Sequence, residues 1–159
     1  MRMNQKSAVD AASIVNTYDV SSLASVFSRY GELRNAMAIA DAITMAREVA
    51  PIETTDELKT AVARFLPRGS ENKVLAQIFQ ALRIDVNREF EVLYSFLEKL
   101  PDELNEGGRV AILTFHSGED RLVKKSFKEL KKAGIYKDVS KDVIRPSAEE
   151  CRNNGRARS

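Results

Sequence analysis

The 159 residues contain only one cysteine, Cys151, and one histidine, His116. A lone thiol cannot close an internal disulfide, and the two together fall short of a Cys/His zinc site. No apolar run approaches the roughly 18 residues that span a bilayer. The opening MRMNQKSAVD lacks the apolar middle of a secretory signal. These absences argue against membrane partners and point to a reducing, cytoplasmic compartment. What is present is ordinary globular material, 43% apolar and 30% charged, too apolar for disorder and long enough to bury a core.

The net charge of +2 conceals an asymmetry. Residues 1–108 carry 12 Lys/Arg against 16 Asp/Glu, whereas residues 109–159 carry 13 against 7. A basic C-terminal third suits a polyanion such as nucleic acid. The alternative is that Lys124, Lys125, Lys128, Lys131 and Lys132 simply solvate the outer face of an amphipathic helix.

The first hundred residues read as successive helices. Ser7 is placed to cap a short helix reaching Asn16, and Ser21 or Ser22 another ending near Tyr30-Gly31. From Leu33, Met37, Ala40, Ile43 and Ala46 recur at helical spacing until Pro51. Thr54-Thr55-Asp56-Glu57 spells a capping box for a helix carrying Leu58, Val62, Phe65 and Leu66. One long helix is expected from Glu71 to Leu100, ended by Pro101, with Arg83 and Asn87 one turn apart on one face. Arg83 falls on what reads as a core-facing stripe, which implies a buried polar network or an RNA contact.

The pattern then changes. Arg109-Val110-Ala111-Ile112-Leu113-Thr114-Phe115 is a continuous apolar run, the signature of a strand buried on both faces of a parallel sheet. Ser117-Gly118-Glu119-Asp120 reads as a second helix cap, with Leu122, Val123, Phe127 and Leu130 facing inward, and Pro146-Ser147-Ala148-Glu149-Glu150 as a third. Residues 136–139 read as a further short strand. A doubly buried strand needs two neighbours to satisfy its N–H and C=O groups. So few candidate strands are available that most of the sheet is expected to lie outside this chain, in a larger protein or in another copy, with self-association through the uncovered edge.

The stretches MRMNQ (1–5), IVNTY (14–18), YGE (30–32), PIETTDEL (51–58), FQALRIDVN (79–87), GGRVAILTFHSGEDRLVKKSF (107–127), IRPSAEE and the terminal RARS occur in the order found in the MraW-type methyltransferases, which the chain resembles along nearly its whole length. That family methylates N4 of a cytosine in small-subunit (16S) ribosomal RNA using S-adenosylmethionine. The resemblance implies an α/β chain with a large all-α portion: the C-terminal part of an incomplete Rossmann-like methyltransferase fold plus a helical insertion domain. Residues 1–7 would end the donor-domain segment, 8–70 form the insertion that recognises substrate, and 71–159 return to the catalytic domain. The Gly-rich loop that holds S-adenosylmethionine would lie upstream of Met1, leaving no cofactor-binding residue here. A non-catalytic RNA- or ribosome-binding module derived from that family is the alternative. One departure is Gly118, where the family usually has Leu.

Methylating an exocyclic amine requires acceptors for its hydrogens, alignment of N4 with the donor methyl, and release of a proton. His116, at the end of the expected strand, occupies the ligand-binding rim of an open α/β sheet. It either accepts a proton and bonds the substrate, or satisfies backbone groups where the strand stops. Ser117 is read as a cap rather than a nucleophile, because no elbow glycines flank it. Asp120 and Arg121 read either as a local pair or as substrate contacts. Arg83 and Asn87 are candidate RNA contacts, as are Arg2 and Asn4 beside the donor half. Arg156 and Arg158 suit phosphate contacts. The expected partner is small-subunit ribosomal RNA.

Overall fold

The computed structural model describes Met3, Asn4, Lys6 and residues 8–158, the side chains of Arg156 and Arg158 excepted. All regular structure among these residues is helical. The chain divides into two compact units, Met1–Glu89 and Phe90–Ser159.

The first unit is a helical bundle. Helix α1 (Ala11–Thr17) is capped by Asp10, whose carboxylate accepts from the Ser13 N–H at 2.8 Å while the Ser13 hydroxyl accepts from the Asp10 N–H at 2.9 Å. The expected cap, Ser7, lies outside the described residues. Helix α2 (Val20–Gly31) is capped by Asp19, not by Ser21 or Ser22; those serines instead donate to the Asp19 carboxylate, each at 2.7 Å. The Ser22 N–H and the Ser21 hydroxyl hold that carboxyl below its usual range. An aspartate wins this position because a full charge accepts two bonds and meets the positive helix end.

Helix α3 (Ala36–Val49) turns Ile39, Ala40 and Ile43 fully inward and leaves Met37 and Met45 exposed. Helix α4 (Thr55–Val62) opens on the capping box read from the sequence: the Glu57 N–H donates to the Thr54 hydroxyl at 3.2 Å, and Glu57 accepts from the Thr54 N–H at 2.9 Å. A 3-10 turn, Ala63–Phe65, follows. Helix α5 (Glu71–Asn87) packs on α2 and α1. Ile78, Ala81, Leu82 and Ile84 of α5 are completely buried, as are Ile14, Leu23, Phe27 and Val62. Each large member contributes about 1.5–3 kcal/mol by leaving water.

Three polar devices fix the bundle. Gly31 lets α5 approach closely, since a Cβ there would stand 2.9 Å from the Gln77 carbonyl. Gln77 and Gln80 then donate to the Gly31 and Tyr30 carbonyls, both at 3.0 Å, and so cap the C-terminal end of α2. Asn16 donates to the Ile52 carbonyl at 2.8 Å and accepts from the Ile52 N–H at 2.9 Å, binding α1 to the segment before α4. The first compact unit continues through α5 to Glu89.

The long helix expected from 71 to 100 is two helices. Arg88 adopts a left-handed conformation (φ 49°) and ends α5, after which α6 (Glu89–Glu103) begins. Nothing in the apolar periodicity marks that break. Pro101 lies within the last turn of α6 instead of ending it.

In the second unit α6 is followed by a turn in which the Gly108 N–H donates to the Asn105 carbonyl at 2.8 Å. Residues 110–114 form no ladder, and neither do residues 136–139, so neither expected strand is present among the described residues. Burial nevertheless alternates along 109–116. Val110, Ile112, Thr114 and His116 are partly covered, whereas Arg109, Ala111, Leu113 and Phe115 are exposed. Leu113 is 79% and Phe115 75% accessible. The segment has the side-chain alternation of a strand but pairs with no second strand among the described residues.

Helix α7 (Ser117–Lys132) ends in a Schellman arrangement at Gly134 (φ 77°), where the Gly134 and Ile135 N–H groups donate to the Lys131 and Leu130 carbonyls. Helix α8 (Ala148–Asn153) has the anticipated Ser147 cap, accepting from the Glu150 N–H at 3.0 Å, and a 3-10 turn, Gly155–Arg158, follows. No helix among the described residues is long and apolar enough to cross a membrane.

Candidate functional site

His116 is the N-cap of α7, the role that the sequence reading gave to Ser117. Its extended backbone (φ −148°, ψ 163°) turns the imidazole back over the first turn, where Nδ1 accepts from the Glu119 N–H at 3.4 Å. Glu119 reaches in the opposite direction and accepts from the Phe115 N–H at 2.8 Å. The pair is a capping box displaced by one residue, with an imidazole in place of the hydroxyl. Ser117 becomes the first helical residue and is exposed.

This capping bond constrains the chemistry of the ring. An Nδ1 that accepts assigns the neutral imidazole proton to Nε2. Nε2 lies 3.5 Å from Glu119 Oε1, within ion-pair range, but the approach lacks hydrogen-bond geometry and Nε2 is buried without an acceptor among the described residues. The ring therefore carries one donor that the fold does not use. Phe90 lies beside it, with centroids 5.7 Å apart and planes inclined by 47°. Gly118 makes room for both rings: a Cβ there would stand 2.6 Å from Phe90 Cζ and 3.2 Å from His116 Nδ1. The His116 side chain is 10% exposed and that of Glu119 21%. Asp120 pairs with Lys124 at 2.7 Å.

In the first unit Arg83 and Asn87 do come together, but on the solvent side of α5. Arg83 is exposed, which corrects its assignment to the core-facing stripe. Its guanidinium makes a forked pair with Glu89, Nε to Oε1 at 2.9 Å and Nη2 to Oε2 at 3.0 Å. Asn87 donates to the Arg83 carbonyl at 2.8 Å and accepts from the Met3 N–H at 2.8 Å, tying the start of the chain to the end of α5. Asn4 is exposed and accepts from the Lys6 N–H at 3.0 Å. Arg2 lies outside the described residues, as do the side chains of Arg156 and Arg158.

Sequence reasoning set His116 at the end of a strand that does not form, with Ser117 capping the helix, and missed Glu119 and Phe90 as neighbours of the ring. The His-x-x-Glu spacing that signals a capping box was available for Glu119. Nothing local pointed to Phe90, which comes from another helix.

A sequence model of the MraW methylase family matches residues 1–159. Among curated proteins, ribosomal RNA small subunit methyltransferase H 1 of Lachnoclostridium phytofermentans is 50% identical over 167 residues, taking in 100% of this chain and 46% of its own length. Ribosomal RNA small subunit methyltransferase H of Flavobacterium psychrophilum is 44% identical over 171 residues, with 100% and 58% covered. Its namesake from Elusimicrobium minutum is 44% identical over 159 residues, with 100% and 54% covered. The chain spans about half the length of the curated relatives it matches.

Proposed function

Because the chain belongs to the MraW methylase family, we propose that it is the substrate-side portion of an S-adenosylmethionine-dependent methyltransferase acting on cytosine N4 in small-subunit (16S) ribosomal RNA, inactive when isolated. The observation that carries this reading is the end-to-end family match of a chain about half as long as its relatives. In this proposal residues 8–70 belong to the substrate-recognition insertion and residues 71–159 to the C-terminal part of the Rossmann-like domain.

S-adenosylmethionine supplies the electrophilic methyl. Among the described residues no strand runs into a glycine loop that could cradle it, and the upstream half is assigned that task. This chain's residues bind and orient the base. The buried Nε2–H of His116 becomes available to an acceptor on the flipped cytosine, such as the ring N3 or the carbonyl, when the Glu119 carboxylate beside it swings away, and the Phe90 ring lies alongside. With Nδ1 engaged in the cap, His116 acts as a donor, not as the acceptor of the amine proton. The alternating segment 109–116 supports the reading too: strand-like burial with no pairing strand among the described residues suits a segment completed by other strands, or by a second copy when the chain is alone.

The test is a chimaera of the upstream half of the Lachnoclostridium phytofermentans relative followed by this chain. With radiolabelled S-adenosylmethionine it should methylate cytosine N4 of small-subunit ribosomal RNA, and the chain alone should not. A folded chimaera that transfers no methyl group while the intact relative does would refute the assignment.

A further inference from the structure

We propose that the basic face of α7 is a track for the phosphate backbone of single-stranded RNA, leading along the helix to His116. The inference rests on the functional reading above and names the part of the chain that grips the substrate. At 3.6 residues per turn, Arg121, Lys124, Lys125, Lys128, Lys131 and Lys132 fall within an arc of about 120° that contains no acidic residue. From Arg121 to Lys132 the track is about 16 Å long. Its near end is five residues, about 7.5 Å along the axis, from His116. Both features belong to one helix, so their spacing is fixed by the helix itself.

A helix face that serves only solubility mixes signs, because opposite charges at i,i+4 stabilise and like charges destabilise by comparable amounts. Here Arg121/Lys125, Lys124/Lys128 and Lys128/Lys132 are all like-charged at that spacing. Lys124 and Lys131 have acidic neighbours, Asp120 at 2.7 Å and Asp138 at 3.3 Å, both in exposed pairs that a phosphate can displace. Lys125, Lys128 and Lys132 have no acidic partner among the described residues. Repulsion along the face is relieved when a polyanion lies on it. A membrane surface is the poorer fit, because the apolar side of α7 is already committed: Val123 is 8% exposed and Phe127 meets Tyr136 edge-on at 5.5 Å.

The experiment titrates the full chain with a short fluorescein-labelled oligouridylate across a range of salt concentrations, following anisotropy. The variant Lys125→Gln/Lys128→Gln/Lys132→Gln should reduce the slope of log affinity against log salt by about 2, and affinity by about a hundredfold near 0.1 M salt, from three lost single-strand phosphate contacts. The exposed control Lys59→Gln/Lys73→Gln/Lys99→Gln should leave the slope unchanged, with circular dichroism confirming that both variants fold. Equal slopes for the two triple variants would overturn the proposal, as would equally tight, equally lysine-dependent binding to phosphatidylserine vesicles. The same α7 substitutions in the chimaera should raise KM for RNA and leave kcat unchanged. A chimaera that never methylates RNA refutes the functional reading, whereas one that methylates with unaltered KM refutes only the track.

Discussion

Replacing Asn16 by alanine should destabilise the helical bundle far more than a half-exposed polar residue would suggest. The Asn16 amide pairs with both backbone groups of Ile52, at 2.8 and 2.9 Å, and Ile52 is only 5% exposed. Truncation leaves a buried N–H and a buried C=O unsatisfied, each costing about 1–3 kcal/mol. Alanine recovers about 0.5 kcal/mol in helix propensity. The net loss is about 1.5–5.5 kcal/mol, which for a unit of this size lowers Tm by at least about 6 °C. Asn16→Asp sharpens the test. It keeps the acceptor for the Ile52 N–H but sets a carboxylate oxygen against the Ile52 carbonyl. Folding then favours the protonated acid, so this variant should regain stability relative to Asn16→Ala as pH falls. Urea and thermal melts followed by far-ultraviolet circular dichroism measure both effects. An Asn16→Ala protein within about 0.5 kcal/mol of the parent would show that the Ile52 groups find other partners and would refute the reasoning.

Further outcomes follow from the same structure. Glu57 accepts from the Glu53 and Thr54 N–H groups at 2.7 and 2.9 Å, which hold its carboxyl below the ordinary 4.5. A depressed folded-state pKa contributes stability above 4.5 that is lost as pH falls through the folded value, so Glu57→Gln should flatten the acid limb of a stability–pH profile. Leu82→Ala, at a completely buried position, should cost about 2–5 kcal/mol in a urea melt. Leu113→Ser/Phe115→Ser, on the exposed side of the unpaired segment, should reduce concentration-dependent light scattering by the isolated chain; a parent that stays monomeric throughout would remove the case for self-association. In the chimaera, His116→Asn preserves a good helix cap while removing the Nε2–H, and kcat/KM should fall about 10²-fold or more. Full activity in that variant would reduce His116 to a cap.

Local chemistry was legible in the sequence wherever one residue decided the outcome. The Thr54/Glu57 box and the Ser147 cap are both as read. The errors share a physical cause: competition between neighbours that a linear pattern does not rank. Asp19 displaced Ser21 and Ser22 as the cap of α2 because a carboxylate is the stronger acceptor. His116 displaced Ser117 because the extended residue, not the first helical one, can turn its side chain over the N–H groups. Arg88 broke a helix whose apolar stripe continues unbroken across it. Segment 109–115 kept the alternation of a strand but formed no ladder, since pairing requires partners that local composition cannot supply. Arg83 looked core-facing until the fork with Glu89 placed it on the solvent side.

The central claim is that this chain handles RNA and leaves the methyl donor to another segment. Calorimetric titration of S-adenosylmethionine into the chain alone, and then into the chimaera, tests it most directly. The account predicts no saturable heat from the chain and saturable binding once the upstream half is attached. Saturable micromolar binding by the chain alone would contradict it.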